Sequence, residues 1–172
     1  MSWDKAIEFV LSYEGGYVDD QFDPGGATNF GISQKAYPGL NIKELTVEKA
    51  KEIYKKDYWD ACHCDELPPE FALAVFDCAV NQGVGKAKRL LQISVFVEVD
   101  GVVGPKTIAA AFKAESPGIR RFLANRLVDY NNLMIEREAL RRYAFNWFFR
   151  VFKLFDLISQ HGDGTNEPTL ER

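Results

Sequence analysis

The sequence is poor in the residues that make metal sites and covalent staples. It holds only 3 Cys and 2 His among 172 residues. So small and odd a cysteine count excludes a disulfide framework and suits a reducing compartment. Cys62-His63-Cys64-Asp65 sets ligand types side by side. The second pair at the spacing of structural zinc is missing, so no metal is expected. Asp19-Asp20-Gln21-Phe22-Asp23 lacks the alternation and the closing Glu of a calcium loop. No cofactor motif is present. No apolar stretch approaches the roughly 18–20 residues of a spanning helix, so stable membrane insertion is not expected. The opening Met1-Ser2-Trp3-Asp4-Lys5 has no basic-then-apolar leader pattern. Repeats and long low-complexity linkers are also absent. The length suits a single domain, which can bury roughly 70% of its unfolded surface without staples.

Net charge is only −4, yet it is unevenly distributed. Residues 119–153 carry 8 Lys/Arg against 3 Asp/Glu, while the segments on either side are acidic. A basic block in an acidic chain suits a face that meets anions, whether nucleic acid, lipid or cell wall. A solvated helix face explains it as well. No base-reading motif accompanies it, so a nucleic-acid partner is not expected.

Most of the chain has helical periodicity. Trp3, Ile7, Val10 and Leu11 share one side of a helix over 3–13, with Ser2 as N-cap and Gly15-Gly16 ending it. Residues 15–40 change to Gly and Pro turn chemistry, with room for a hairpin near 17–33. Helices are predicted over 46–59, Pro69–Gln82 and 84–97, the last weakened by β-branched Ile93–Val99. Pro105 and Ser116-Pro117 each open a new helix. Two long helices are predicted near 117–136 and 138–158, and a disordered polar tail over 159–172. The predicted fold class is mainly α with one small β-hairpin.

The chemistry concentrates between Glu14 and Ser33. Glu14 is predicted to end the first helix, where the negative end of the dipole disfavours a carboxylate. Tyr13, Tyr17 and Phe30 are near enough in sequence to desolvate it. Both effects raise a carboxyl pKa, as a general acid near neutral pH requires. Asp23 follows nine residues later and Thr28 five beyond that. A hairpin between them can fold both over the helix end. Cleavage of a glycosidic bond needs an acid on the leaving oxygen and a second group for water. Glu14 fits the first role, and Asp23 with Thr28 can hold the water. Asp23 equally fits a turn in Asp-Pro-Gly-Gly.

The stretch Glu14-Gly15-Gly16-Tyr17-Val18, then Asp23-Pro24-Gly25-Gly26-Ala27-Thr28 and Gly31-Ile32, resembles the signature of the N-acetylmuramidase family of phage endolysins, glycoside hydrolase family 108. The spacing of Glu14, Asp23 and Thr28 is also similar to the triad of phage-type lysozymes. Tyr54 to Asp60, Leu67-Pro68, and Phe76-Asp77-Cys78-Ala79-Val80-Asn81-Gln82-Gly83 resemble further family segments. Val99 to Thr107 resembles the start of a predicted peptidoglycan-binding half. Asn146-Trp147-Phe148-Phe149-Arg150 departs from the family's G-W-x-x-R in having Asn first.

The resemblance implies a lysozyme-like globule with a catalytic part over 1–86 and a peptidoglycan-binding-like part over 87–158. It implies Glu14 as catalytic acid, acting on the β-1,4 bond between N-acetylmuramic acid and N-acetylglucosamine. The partner would be peptidoglycan glycan strands, met by a monomer held in the host cytoplasm until holin-type release. A lytic transglycosylase and an inactive wall-binding or secretion-associated protein are the competing readings.

Asp77 and Asn81 lie one helical turn apart on an otherwise apolar helix. Asp77 reads as a buried polar group and Asn81, with Tyr17, as a substrate contact. Tyr58 and Trp59 can stack on sugar rings or pack in the core. Residues 141–158 form a basic aromatic helix. Its apolar side is predicted to complete the core, with Arg141, Arg142, Arg150 and Lys153 facing out.

Overall fold

The computed structural model describes residues 2–19 and 26–162. It is mainly α, with one two-stranded antiparallel sheet. Helix α1, Trp3–Leu11, buries Ala6, Ile7 and Val10 at the predicted spacing. It stops earlier than the sequence suggests: Ser12 caps it, and Tyr13 and Glu14 continue in a tightening turn, donating to Val10 O and Leu11 O. Glu14 thus lies just beyond the helix end.

Strands β1, Thr28–Asn29, and β2, Ile32–Ser33, pair Asn29 with Ile32. Two residues, Phe30 and Gly31, make the turn with φ of 50° and 73°. Positive φ at both positions is what a tight type I′ hairpin needs. Val18 pairs with Thr28, so the chain after Glu14 returns to the hairpin edge.

Helix α2, Val47–Tyr54, is capped by the Thr46 hydroxyl, which accepts from the Lys49 amide. It runs into a wider turn over Lys55–Trp59 and two short turns over 60–66. Helix α3, Pro69–Gln82, matches its predicted bounds because Pro68-Pro69 opens it and Gly83, at φ 90°, closes it. Every residue from Phe71 to Ala79 is buried, so α3 is the central strut. Helix α4, Val84–Ser94, ends three residues short of prediction, where the β-branched run begins.

Helix α5 spans Pro105–Glu136 but is broken at Glu115, whose φ of 46° is far from helical. The break falls beside Ser116-Pro117, where the sequence places a new start. A tight turn over Glu138–Tyr143 then delays α6 to Ala144–Gly162. Residues 159–162 belong to this helix, contrary to the predicted tail; 163–172 lie outside the described residues.

One buried cluster runs from Ala6 on α1 to Ile158 on α6. Near its centre Trp59 meets Trp3 and Phe76 edge to face and Trp3 meets Phe76 at a tilt, with ring centroids 5.3–5.4 Å apart. Trp59 is 3% exposed and its indole donates to Asp65 at 2.8 Å. The suggested stacking of Trp59 on a sugar ring is therefore corrected: both its faces and its N–H are occupied inside the protein. Among the described residues no helix is long and apolar enough to cross a membrane. Among them, too, no group of three His, Cys, Asp or Glu side chains is placed to hold a metal.

Candidate active site

Glu14 stands where the end of α1, the hairpin turn, α2 and α6 converge. Its side chain is 21% exposed. The space beside its carboxyl exists because residue 31 is glycine. A Cβ on Gly31 would collide with Glu14 Oε2, and would lie 2.8 Å from Glu14 Cδ and 2.7 Å from the Tyr54 hydroxyl. The backbone of the turn therefore presses directly on the carboxyl.

The turn is held in place from two sides. The Tyr54 hydroxyl, from the end of α2, donates to Phe30 O at 2.8 Å. The Phe30 amide donates to Gly15 O at 3.1 Å. Phe30 can keep a left-handed conformation because both of its polar backbone groups are used. Tyr58 lies half-buried behind Tyr54, with ring centroids 5.5 Å apart. Burial, followed by the nearby Glu14 charge, pushes the Tyr54 phenol far above its usual range. It is a donor, not a base.

Arg150, on α6, supplies the cation. Its Nη1 is 3.7 Å from Glu14 Oε1, an ion-pair contact too long for a hydrogen bond. Its guanidinium also sits 4.7 Å over the Tyr13 ring. Arg150 is 5% exposed, so the prediction that it faces solvent is corrected. It shares the core-facing side of α6 with Val151 and Leu154, and Asp77 repays its burial.

Asp77 is completely buried on α3 between two arginines. Oδ2 accepts from Arg126 Nη1 at 2.5 Å, and Oδ1 from Arg150 Nε at 2.8 Å. Arg150 Nη2 is 2.7 Å from Oδ1 but poorly aimed, so its protons lack a well-directed acceptor. Burial alone would raise the Asp77 carboxyl, but the charges of Arg126 and Arg150 outweigh it and hold it below its usual range. Arg126 continues the network, donating to Gln82 Oε1 at 2.7 Å and to the Tyr130 hydroxyl at 3.2 Å. Tyr130 in turn donates to Asn81 Oδ1.

Two opposing influences set Glu14. Desolvation raises its pKa, and the Arg150 charge lowers it; desolvation wins. Because Arg150 is shared with Asp77, its pull on Glu14 is reduced, and the carboxyl stays above its ordinary value. A carboxyl so placed can hold a proton and give it up to a basic oxygen.

The sequence-predicted residues fall into three groups. Glu14 and Tyr58 are brought together with Gly31 and Tyr54. Tyr17 lies two residues past Gly15, 40% exposed, its hydroxyl directed at Asp19. Thr28 is on β1 with its hydroxyl donating to Gly26 O at 3.3 Å. Asn81 is exposed at the far end of the arginine network, in a cleft with Gln82, Asp129 and Trp147. Asp23 lies outside the described residues. A cavity of about 590 Å³, lined by residues of α3, α5 and α6, does not include Glu14.

Sequence reasoning missed Arg126 and Arg150. Each pairs with Asp77 across many residues, and nothing local marks Arg126 as one of the pair, whereas Arg150 holds the Arg of the G-W-x-x-R segment. The phase of Arg150, one turn before buried Leu154, was a further clue.

A lysozyme-like helical fold holding a half-buried glutamate against a glycine turn defines the class as a glycoside hydrolase of the peptidoglycan-hydrolase kind. A family model described as Glycosyl hydrolase 108 matches residues 7–83. The solved structure of Brucella abortus SagA superposes with a TM-score of 0.80 at 33% identity, covering 95% of this chain and 97% of that one. No curated protein sequence matches the chain significantly. The chain belongs to the glycosyl hydrolase 108 family.

Proposed function

We propose that this protein is an N-acetylmuramidase that cleaves the β-1,4 bond between N-acetylmuramic acid and N-acetylglucosamine in peptidoglycan. Glu14 is the general acid. The observation that carries this reading is the placement of its carboxyl, 21% exposed against the Gly31 turn, where desolvation raises its pKa although a cation lies 3.7 Å away. The protonated carboxyl donates to the glycosidic oxygen as the bond breaks. The glutamate that remains is anionic, and Arg150 then stabilises it at close range. An oxocarbenium-like centre forms on the sugar and is captured by water. Thr28 and Asp23 are the groups we assign to that water. Tyr17, Tyr58 and Asn81 are assigned to the glycan strand, and residues 87–158 to holding the wall polymer. In an endolysin setting the enzyme waits in the host cytoplasm for release to the wall.

One observation favours a second reading. Among the described residues, the other carboxylate close enough to influence Glu14 is Asp77, and it is locked between two arginines. A site with one working carboxyl also suits a lytic transglycosylase, in which the sugar's own hydroxyl closes an anhydro ring. The products differ by one water.

The test is turbidity of outer-membrane-permeabilised Gram-negative cells. The wild type clears the suspension, and Glu14→Gln, folded by circular dichroism, does not. Equal clearing by both moves the acid elsewhere in the chain. Binding to purified wall without clearing by either establishes a binding protein instead.

A further inference from the structure

Helix α6 is apolar on two opposite sides. Val151, Leu154 and Ile158 are buried in the core. Phe145, Phe149 and Phe152, spaced i, i+4 and i+7, are 74%, 46% and 60% exposed. Helical period puts this stripe on one face, away from Leu154 and Arg150. The rings of Phe145 and Phe149 stack at 5.6 Å. A surface helix ordinarily shows one apolar stripe and one polar face. Here the outer face is phenylalanine, a contiguous exposed apolar patch of the kind that is often functional.

Cations border the stripe. Arg141 and Arg142 stand exposed in the turn that leads into α6. Lys153 holds its ammonium 5.3 Å over the Phe149 ring. Of the 8 basic side chains over 119–153, Arg126 and Arg150 are buried on Asp77, and Arg141, Arg142 and Lys153 are the exposed cations beside the stripe. Of the nearby acids, Glu138 is paired with Arg141 at 2.9 Å, and Asp156 lies a turn beyond Phe152, where the stripe ends. The partner is therefore anionic. At roughly 200 Å² per phenylalanine, the exposed part of the three rings is about 350 Å². That falls well short of the roughly 800 Å² per side of a stable protein interface. A convex aromatic ridge among cations is instead what an interfacial helix presents to a bilayer.

We propose that the outer face of α6 docks reversibly on an anionic lipid bilayer. Phe145, Phe149 and Phe152 enter the boundary between headgroups and acyl chains, and Arg141, Arg142 and Lys153 meet the lipid phosphates. Arg150 points from the opposite side of the helix, so the docked molecule keeps Glu14 turned away from the bilayer. The inference does not depend on the glycosidase assignment.

The test is co-sedimentation of the full chain with vesicles of phosphatidylglycerol and phosphatidylcholine, against vesicles of phosphatidylcholine alone. The wild type binds the anionic vesicles, and salt weakens the binding. Replacing Arg141, Arg142 and Lys153 together by Gln weakens it about 100-fold, from about fivefold per cation. Phe145→Gln with Phe149→Gln and Phe152→Gln reduces it at least about tenfold. All six positions are exposed, and unchanged thermal unfolding verifies that the variants fold. Should the triple variants unfold early, Phe145→Gln alone still reports. Three results overturn the proposal: wild type that ignores anionic vesicles, a phenylalanine variant that binds as wild type does, or a wild-type dimer in light scattering that this variant dissolves.

Discussion

Gly31→Ala is the smallest change that separates this site from an incidental surface glutamate. The added methyl would occupy the space of Glu14 Oε2 and come within 2.7 Å of the Tyr54 hydroxyl. Alanine must also hold φ near 73°. The left-handed conformation costs about 1–2 kcal/mol for a residue with a Cβ. Overpacking costs about 1–3 kcal/mol more. At roughly 2–4 °C per kcal/mol for a chain of this size, Tm falls by about 4–20 °C. The loss of activity is expected to exceed what the loss of stability suggests, because the methyl meets the carboxyl proposed as the acid. A displacement near 1 Å at a catalytic group costs about 100-fold. The assay is turnover of purified peptidoglycan at a temperature well below the lowered Tm, paired with calorimetry. If Gly31→Ala keeps more than half the wild-type rate and melts with wild type, the hairpin turn does not abut Glu14 and the site is wrongly assembled.

Asp77→Asn leaves Arg126 and Arg150 buried without their counter-charge, and denaturant unfolding should show a loss of about 3–5 kcal/mol; a loss under about 1 kcal/mol contradicts the buried triad. Because folding lowers the Asp77 pKa below its ordinary 3.8, its contribution is complete above that pH and is lost as pH falls through the folded value. Acid titration of the wild type should therefore show destabilisation below about pH 4 that Asp77→Asn lacks. The general acid proposed at Glu14 must be protonated to act, so kcat/KM should fall as pH rises through a Glu14 pKa above the ordinary 4.5. Arg150→Gln removes the cation that opposes this shift and should move that limb to higher pH; an unmoved limb separates Arg150 from Glu14. Tyr54→Phe removes the donor to Phe30 O and should cost about 1–2 kcal/mol of stability; a melt identical to wild type would show that the turn is held without it.

Local chemistry was legible in the sequence, and long-range charge pairing was not. Pro68-Pro69 and Gly83 bound α3 at the predicted residues because proline and glycine act on their own backbone. The hairpin was legible as turn chemistry, but not the fact that Gly31 yields its side-chain volume to Glu14. The ends of α1 and α4 fell short of the periodic pattern, since periodicity marks a buried face and not the residue where hydrogen bonding stops. Trp59 and Tyr58 are adjacent in sequence yet diverge, one sealed against Trp3 and Phe76 and the other half-buried beside Tyr54. Arg150 was read as a solvated charge because arginine usually is one; only Asp77, 73 residues away, makes its burial tolerable. The same helix was expected to spend its apolar side on the core, yet it has a second one, because phenylalanine occurs on both phases of its turn.

The account rests on proton donation by Glu14, and analysis of the sugar ends released from purified peptidoglycan tests that most directly. Wild type should release fragments with reducing N-acetylmuramic acid ends, each having gained one water, and Glu14→Gln, folded and melting like wild type, should release none. Release of those same ends by Glu14→Gln at the wild-type rate would contradict the assignment.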